Sequence, residues 1–531
     1  MGNQKILKVR VYRFDPSINN EPYYDDFEVP FKFEKMKVLD VLRYIEDNLD
    51  YSLSFTLDCR LWNCGLCGVT VNKKPGSACL TDVKSVVVDD GLLIEPLPNY
   101  PVIKDLVIDR TMEIEQMQKV GIQYERHNEE LSIDKIPEII GPEEVACVRD
   151  WYLACIDCLV CSSACPVFST EYEFIGPHLN VKIAKYLAHH RDEGNRARQG
   201  YEGGVFRCLN CRRCDVVCPL ALEVSGKTME RIKSEAVEKG YTPTPIRDFL
   251  ENLYKFGNPW GMSPLKRAKW AEDLEVFPFD SQKHDFLLYI GDTGAYDTRA
   301  QEVTKSLTKL LLKGQLSFGI LGKDEISDGN EINRIGEKGL FEEIAQKNIE
   351  TFNSLRVRKI ITLSPHAFNT FKNEYPSLGG QYEVMHYTHL LRDLIENNKL
   401  KLAKNAKGKV TFHDSCFLGR YNNEYDTPRE ILKAIPGLEL IEMERIKENS
   451  FCCGGGGGNF VTDLANGKQK PSRIRIKEAC STGAKMVAVS CPKCLVMFED
   501  AIKSENLEEK IVVKDISELV LESLALDKKE I

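Results

Sequence analysis

Seventeen of the nineteen cysteines fall into four spaced groups. The first is Cys59-x4-Cys64-x2-Cys67, followed by Cys79. The second is Cys155-x2-Cys158-x2-Cys161-x3-Cys165-Pro166, and the third repeats it as Cys208-x2-Cys211-x2-Cys214-x3-Cys218-Pro219. The fourth comprises Cys416, the pair Cys452-Cys453 before Gly454, and Cys491-Pro492-x-Cys494. No apolar leader precedes the first strand pattern, so a secreted disulfide framework is the weaker explanation and metal ligation the better one. Thiolates are soft anionic ligands that suit iron in either oxidation state. The first spacing is that of a [2Fe–2S] centre, and x4 then x2 suits it better than a zinc knuckle. Gly65 and Gly68 would let backbone N–H groups approach its sulfurs. The next two runs each read as a [4Fe–4S] centre, with the fourth cysteine of one run serving the other cluster. Cys155, Cys158, Cys161 and Cys218 then hold one cluster, and Cys165, Cys208, Cys211 and Cys214 the next. Pro166 and Pro219 would turn the chain away and help fix that crossed arrangement.

These residues need elements to place them. Ile6–Phe14 alternates like a half-buried strand, with Phe27–Val29 as its hairpin partner. Apolar residues at 38, 41, 42 and 45 have helical spacing. Two more strands are expected around Val86–Val88 and Leu92–Ile94. Strands around one helix suit a small α+β domain of the plant-type ferredoxin kind over residues 1–110. Residues 111–240 form a helical two-cluster ferredoxin domain. Residues 241–284 carry Pro243, Pro245, Pro259, Pro264 and Pro278 and read as a connector.

Beyond the connector lies a repeat. Asp292, Ser327-Asp328-Gly329 and Ser364-Pro365-x-Ala367 align with Cys416, Cys452-Cys453-Gly454 and Cys491-Pro492-x-Cys494, at nearly equal intervals. The reading is a duplication whose earlier copy, 285–400, has lost its thiols, while 401–531 keeps them. Strand-like runs (Phe286–Ile290 and Val410–His413; Lys359–Leu363 and Met486–Ser490) alternate with helical stretches (Val303–Leu312; Ser472–Ala479). Two α/β modules follow, with ligands at strand ends. Cys147 and Cys480 have no motif partners and are expected to be small buried apolar residues. His413 is expected to pack or hydrogen-bond beside Cys416, and His366 to fill the space where the earlier copy would have met a cluster.

The 531 residues allow roughly three to four domains. A net charge of −9 argues against nucleic acid as a partner. The one basic stretch, Lys399, Lys401, Lys404, Lys407 and Lys409, lacks interleaved aromatics and reads as a solvated face. No run reaches the roughly 20 apolar residues that span a bilayer. The expectation is a cytoplasmic chain without a transmembrane segment.

Leu97-Pro98-x2-Pro101-Val102-Ile103-Lys104-Asp105-Leu106-Val107 and the order of the first three motifs resemble the iron–sulfur subunits of succinate dehydrogenase and fumarate reductase over residues 1–240. Many of those subunits lack the second cysteine of the second run and hold [3Fe–4S]. Cys211 stands there in this chain, so [4Fe–4S] is expected. The resemblance implies electron exchange with an FAD-bearing subunit. The C-x35-CCG-x36-C-x2-C pattern is similar to the CCG module of heterodisulfide reductase. That resemblance implies that Cys416, Cys452, Cys453, Cys491 and Cys494 hold a noncubane [4Fe–4S] cluster engaged in thiol/disulfide chemistry. An ordinary [4Fe–4S] cluster or zinc stays open. Gly454–Gly458 is no dinucleotide fingerprint, since it follows the cysteine pair and no Gly-x-Gly-x-x-Gly opens a helix within a βαβ unit there; it lets backbone crowd a bulky group.

The two halves together resemble the thiol:fumarate reductase family of methanogenic archaea. That implies oxidation of coenzyme M and coenzyme B thiols to their heterodisulfide, with fumarate reduced to succinate on a flavoprotein partner. Two alternatives are a relay to quinone in a succinate:quinone oxidoreductase, and an electron conduit for a hydroxy-acid dehydrogenase.

Overall fold

The computed structural model describes residues 5–31, 34–89, 91–127, 154–169, 173–189, 192–403 and 408–525. Cys147, Lys404 and Lys407 lie outside them. The chain forms two compact units, Met1–Val205 with Arg212–Tyr241, and Phe206–Cys211 with Thr242–Ile531.

In the first unit, β1 (Ile6–Arg13) alternates exposed and buried residues and pairs antiparallel with β2 (Tyr23–Pro30). Its inward residues Leu7, Val9 and Val11 pack on Val38, Val41, Leu42 and Ile45 of the helix Val38–Asn48. β3 (Gly68–Val71), β4 (Lys74–Ser77) and β5 (Gly91–Glu95) complete a five-stranded sheet of order β2-β1-β5-β3-β4. The expected strand at Val86–Val88 is not formed. Val83–Val86 is a helical turn that buries Val83, and Val88 makes only an isolated bridge to Gly91. A short β-branched run can satisfy either geometry, and here burial of its first residue decides. The hairpin β6 (Val102–Lys104) and β7 (Val107–Ile108) precedes a helical region that includes Gly176–Leu187, Arg196–Glu202 and Arg231–Glu238.

The second unit contains two four-stranded parallel sheets. The first has β8 (Phe286–Tyr289), β9 (Phe318–Gly319), β10 (Lys359–Thr362) and β11 (Glu383–His386), in order β11-β10-β8-β9. The second has β12 (Gly408–Phe412), β13 (Leu438–Leu440), β14 (Met486–Val489) and β15 (Val512–Asp515), in order β13-β12-β14-β15. Equivalent strands of the two copies hold equivalent places, and every pairing is parallel. Parallel strands covered on both faces need continuous apolar runs, which Leu287–Tyr289, Ile360–Ile361 and Val487–Val489 supply. One apolar core runs through both copies. The expected connector holds a 13-residue helix, Thr244–Phe256, that buries Ile246, Phe249 and Leu253. Pro245 lies in its first turn, where a missing N–H costs nothing.

Candidate metal centres

The four cysteines of the first group sit together in the loop before β3 and just after β4. Cys59 Sγ accepts backbone N–H bonds from Leu61, Asn63 and Cys64, each at 3.3 Å. Those N–H groups hold its thiol down, to about 7. Burial and the adjacent Cys67 and Cys59 push Cys79 up to about 12. Gly65 has φ of +67°, and a Cβ there would come within 1.9 Å of the Ile156 carbonyl. The glycine therefore permits both a left-handed turn and a close backbone approach.

Cys155, Cys158, Cys161 and Cys218 line one cavity, closed by Leu159, Val181, Leu222 and His178. Burial raises all four thiols. His178 is braced on both sides, Nδ1 at 3.0 Å from Glu113 and Nε2 at 2.9 Å from Asp157. Four thiols around an apolar cavity fit a thiolate-bound cluster and no harder cation. Of the other four-cysteine set, Cys208 and Cys211 belong to the second unit, while Cys165 and Cys214 belong to the first.

In the second unit, the five C-terminal cysteines are all buried. Cys416 and Cys491 follow the carboxyl ends of β12 and β14, where parallel sheets place their ligands. Cys494 lies in the first turn of the helix Pro492–Ser504, and Cys452 and Cys453 follow the short helical turn Lys447–Asn449. Cys494 Sγ lies 3.3 Å from Cys453 Sγ. Cys453 and Cys491 are held well below the ordinary thiol value. Hydrogen bonds from Cys452, Cys494 and His413 do this for Cys453. For Cys491, burial opposes the shift, but Cys494 and His366 outweigh it. Cys416, Cys452 and Cys494 shift up. His413, Cys453 and Cys494 offer ligand atoms within 4.8 Å of one another, so the histidine is a hydrogen-bonding neighbour within reach of the site. Cys480 is half-buried at the edge of the core.

Cys211 joins this group: it lies close enough to Cys452 to help push that thiol up. The segment that carries it is seated by Arg420, which donates to the Cys211 carbonyl at 2.5 Å, and by Tyr421, whose hydroxyl donates to the Asn210 carbonyl at 2.8 Å. Gly456 and Gly457 make room; a Cβ on Gly456 would lie 2.2 Å from the Leu209 carbonyl. This contact is the structural use of the glycine run. Arg420 is the residue that sequence reasoning passed over. Its guanidinium is buried, it interacts with Cys211, Cys416 and Cys452, and its Nη2 has no hydrogen-bond partner among the described residues. A buried cationic donor beside sulfurs, lacking an acceptor, fits an anionic iron–sulfur cluster. Its one sequence signal is its position four residues after Cys416.

In the earlier copy, Asp292, Ser327, Asp328 and Ser364 line one small cavity together with Thr293, Glu331 and Lys493. Asp292 pairs with Arg267 at 2.8 Å, and Ser364 Oγ caps the helix Pro365–Asn369. The thiols have been replaced by oxygens with partners of their own.

Among the described residues no helix is long and apolar enough to cross a membrane. Family models match as a 2Fe-2S iron-sulfur cluster binding domain over residues 8–115, a 4Fe-4S dicluster domain over 151–222, and a cysteine-rich domain twice, over 293–372 and 410–499. Fold and sites thus define a multidomain iron–sulfur oxidoreductase subunit. The chain is 30% identical over 521 residues, covering 97% of itself and 99% of the relative, to one of the subunits of fumarate reductase (CoM/CoB) from Methanothermobacter marburgensis. It belongs to the family of that protein. It is also 37% identical over 331 residues to a probable iron-sulfur-binding oxidoreductase of Bacillus subtilis, covering 61% of this chain and 47% of that one. A third relative is one of the subunits of dihydromethanophenazine:CoB–CoM heterodisulfide reductase from Methanosarcina mazei, 28% identical over 71% of this chain and 95% of the relative. Of three of its relatives the chain spans only 47%, 58% and 59% of the length.

Proposed function

We propose that the chain is the iron–sulfur subunit of a fumarate reductase that oxidises coenzyme M and coenzyme B thiols to the heterodisulfide. The electrons pass to an FAD-bearing partner that reduces fumarate to succinate. Two thiols give one disulfide, two protons and two electrons; fumarate takes up two of each. Cys59, Cys64, Cys67 and Cys79 hold [2Fe–2S]. Cys155, Cys158, Cys161 and Cys218 hold one [4Fe–4S] centre, and Cys165, Cys208, Cys211 and Cys214 a second. Cys416, Cys452, Cys453, Cys491 and Cys494 hold the fourth centre, of noncubane type, at the thiol site. A cluster there would supply one-electron oxidation of a bound thiolate.

The observation that carries this reading is the seating of the Cys211 segment beside the thiol site, where Arg420 donates to the Cys211 carbonyl at 2.5 Å and Tyr421 to the Asn210 carbonyl at 2.8 Å. It sets a ligand of the thiol site against a ligand of the relay. Around them Arg420 offsets anionic charge, His413 lies within reach of Cys453 and Cys494, and apolar side chains pack round the cysteines. The thiol protons must leave to base or solvent before the disulfide closes.

The test is an anaerobic assay of the complex with its flavoprotein. Coenzyme M plus coenzyme B should give fumarate-dependent heterodisulfide. Activity with a quinol and none with the thiols would replace this reading with the quinone relay.

A further inference from the structure

We propose that the cysteine-free copy works as a clamp. Through Arg334, Asn369 and Asn373 at one hold and Glu331 at another, it seats the Cys208–Cys211 segment on the thiol module and positions two iron–sulfur centres for electron transfer. This rests on the reading that Cys211 ligates a relay centre and the five C-terminal cysteines a centre that thiols reduce.

The residues Cys208–Cys211 belong to no helix or strand, so contacts from outside set their place. The first hold is the short helix Gly419–Asn422, from which Arg420 and Tyr421 donate to the carbonyls of Cys211 and Asn210. Four residues are too few for a helix to keep its own shape, and the earlier copy braces it. Asn422 Nδ2 donates to Asn369 Oδ1 at 3.2 Å, and Asn373 Nδ2 donates to Asn422 Oδ1 at 3.0 Å. Arg334 lies over the Tyr421 ring with its guanidinium carbon 5.7 Å from the centroid, within reach of a cation–π contact. The same ring stacks on Phe417, with centroids 4.1 Å apart. Glu374 pairs with Arg334 and accepts from Asn369 Nδ2 at 2.9 Å, so the bracing residues share one polar network.

The second hold is the glycine run. A Cβ on Gly457 would come within 2.6 Å of the Cys208 carbonyl, as one on Gly456 would meet that of Leu209, so backbone lies against backbone. The end of the run is tied to the earlier copy. The Gly458 N–H donates to Glu331 Oε2 at 2.8 Å, and a Cβ there would lie 3.1 Å from Ile335 Cδ1. Glu331, Arg334 and Ile335 share the helix Asn330–Ile335, so one element of the cysteine-free copy reaches both holds. Electron tunnelling weakens exponentially with separation, so a relay segment without regular structure has to be fixed in place. A brace needs neither thiol nor metal, which gives the earlier copy a task in its present form.

The test combines hydrogen exchange, read by mass spectrometry over residues 206–211, with single-turnover reduction by coenzyme M and coenzyme B, both on the anaerobic complex with iron counted. Arg334→Met with Asn373→Ala releases the helix and touches no cysteine. Tyr421→Phe removes the last hydrogen bond and keeps the ring. Both should retain iron, dye-linked fumarate reduction and the thiol-induced EPR change. In both, the segment should exchange about fivefold faster, the worth of roughly one hydrogen bond. The thiols should reduce the ferredoxin-type centres about tenfold more slowly, the order expected of a fraction of an ångström of misplacement. A brace serving stability alone would lower the melting temperature and leave that rate unmoved. Unchanged exchange or an unchanged rate in the double variant with full iron overturns the proposal. If the double variant loses iron, Asn373→Ala alone, at an exposed position, decides it by the same two readings. A wild-type complex in which thiols reduce no centre overturns instead the thiol reading beneath it, and hydrogen exchange still decides the clamp.

Discussion

The two copies of the C-terminal module share strand order and pairing, and differ in the residues that stand at the equivalent positions after the strands. The later copy gathers five thiols, steadied by His413, Arg420 and His366. The earlier copy gathers carboxylates and hydroxyls that already satisfy one another or Arg267, Lys493 and backbone N–H groups. Soft ligands await a metal, whereas hard ones have closed into a buried polar network. Losing thiols therefore did not empty the site. The earlier copy's polar network is braced across Glu331, which pairs with both His366 and Lys493.

The sharpest way to break this comparison is to remove one thiol from the later copy. Cys491→Ser should abolish thiol-dependent fumarate reduction while dye-linked fumarate reduction by the flavoprotein complex persists. Iron should fall from about 14 to about 10 per chain, the sum of one two-iron and three four-iron centres less one of the latter. Loss of both activities would contradict the division of labour. Next comes the brace. Lys493→Met leaves Glu331 buried without its cation, and denaturant unfolding should show a loss of about 3–5 kcal/mol.

The third prediction concerns Asp328, which stands where the later copy has Cys453. Burial pushes its carboxyl up to about 6, although Lys493 pulls the other way. A folded-state value above the unfolded one means that the ionised form costs stability. The cost is absent below about pH 3.8, grows as pH rises and is complete above about pH 6. Asp328→Asn should thus stabilise the protein at pH 8 by roughly 2–3 kcal/mol and have little effect at pH 4. A gain that does not depend on pH would contradict the account. The smallest expected effect is at the seat of the relay segment. Gly456→Ala should cost about 1–3 kcal/mol through its clash with the Leu209 carbonyl, measurable by thermal unfolding.

Legibility in the sequence followed locality. The cysteine groups were readable because each ligand set is mostly a short run with fixed spacing. β1, β5, β8, β12 and β14 were readable because burial imposes alternation or a continuous apolar run. The duplication was readable because Ser364-Pro365 and Cys491-Pro492 keep their frame. β4 was not, since Lys74-Pro75-Gly76-Ser77 is edge-strand sequence with the composition of a turn. The helix Thr244–Phe256 was hidden by prolines that punctuate loops and open helices alike. The seating of the Cys211 segment by Arg420 and Tyr421 and the crossing of Lys493 to Glu331 are products of tertiary packing, and no spacing rule encodes them. His366 reads as filler in the sequence, and it is buried with Nδ1 3.0 Å from Glu331 and its ring against Phe417.

The central claim is that the later copy's five cysteines bind an iron–sulfur centre that responds to thiols. Anaerobic EPR of the isolated chain, recorded with and without coenzyme M and coenzyme B, tests it most directly. The account predicts a paramagnetic signal that changes on thiol addition in the wild type and is missing in Cys491→Ser, with the ferredoxin-type signals alike in both. A wild-type spectrum indifferent to thiols, from protein holding about 10 irons, would contradict it.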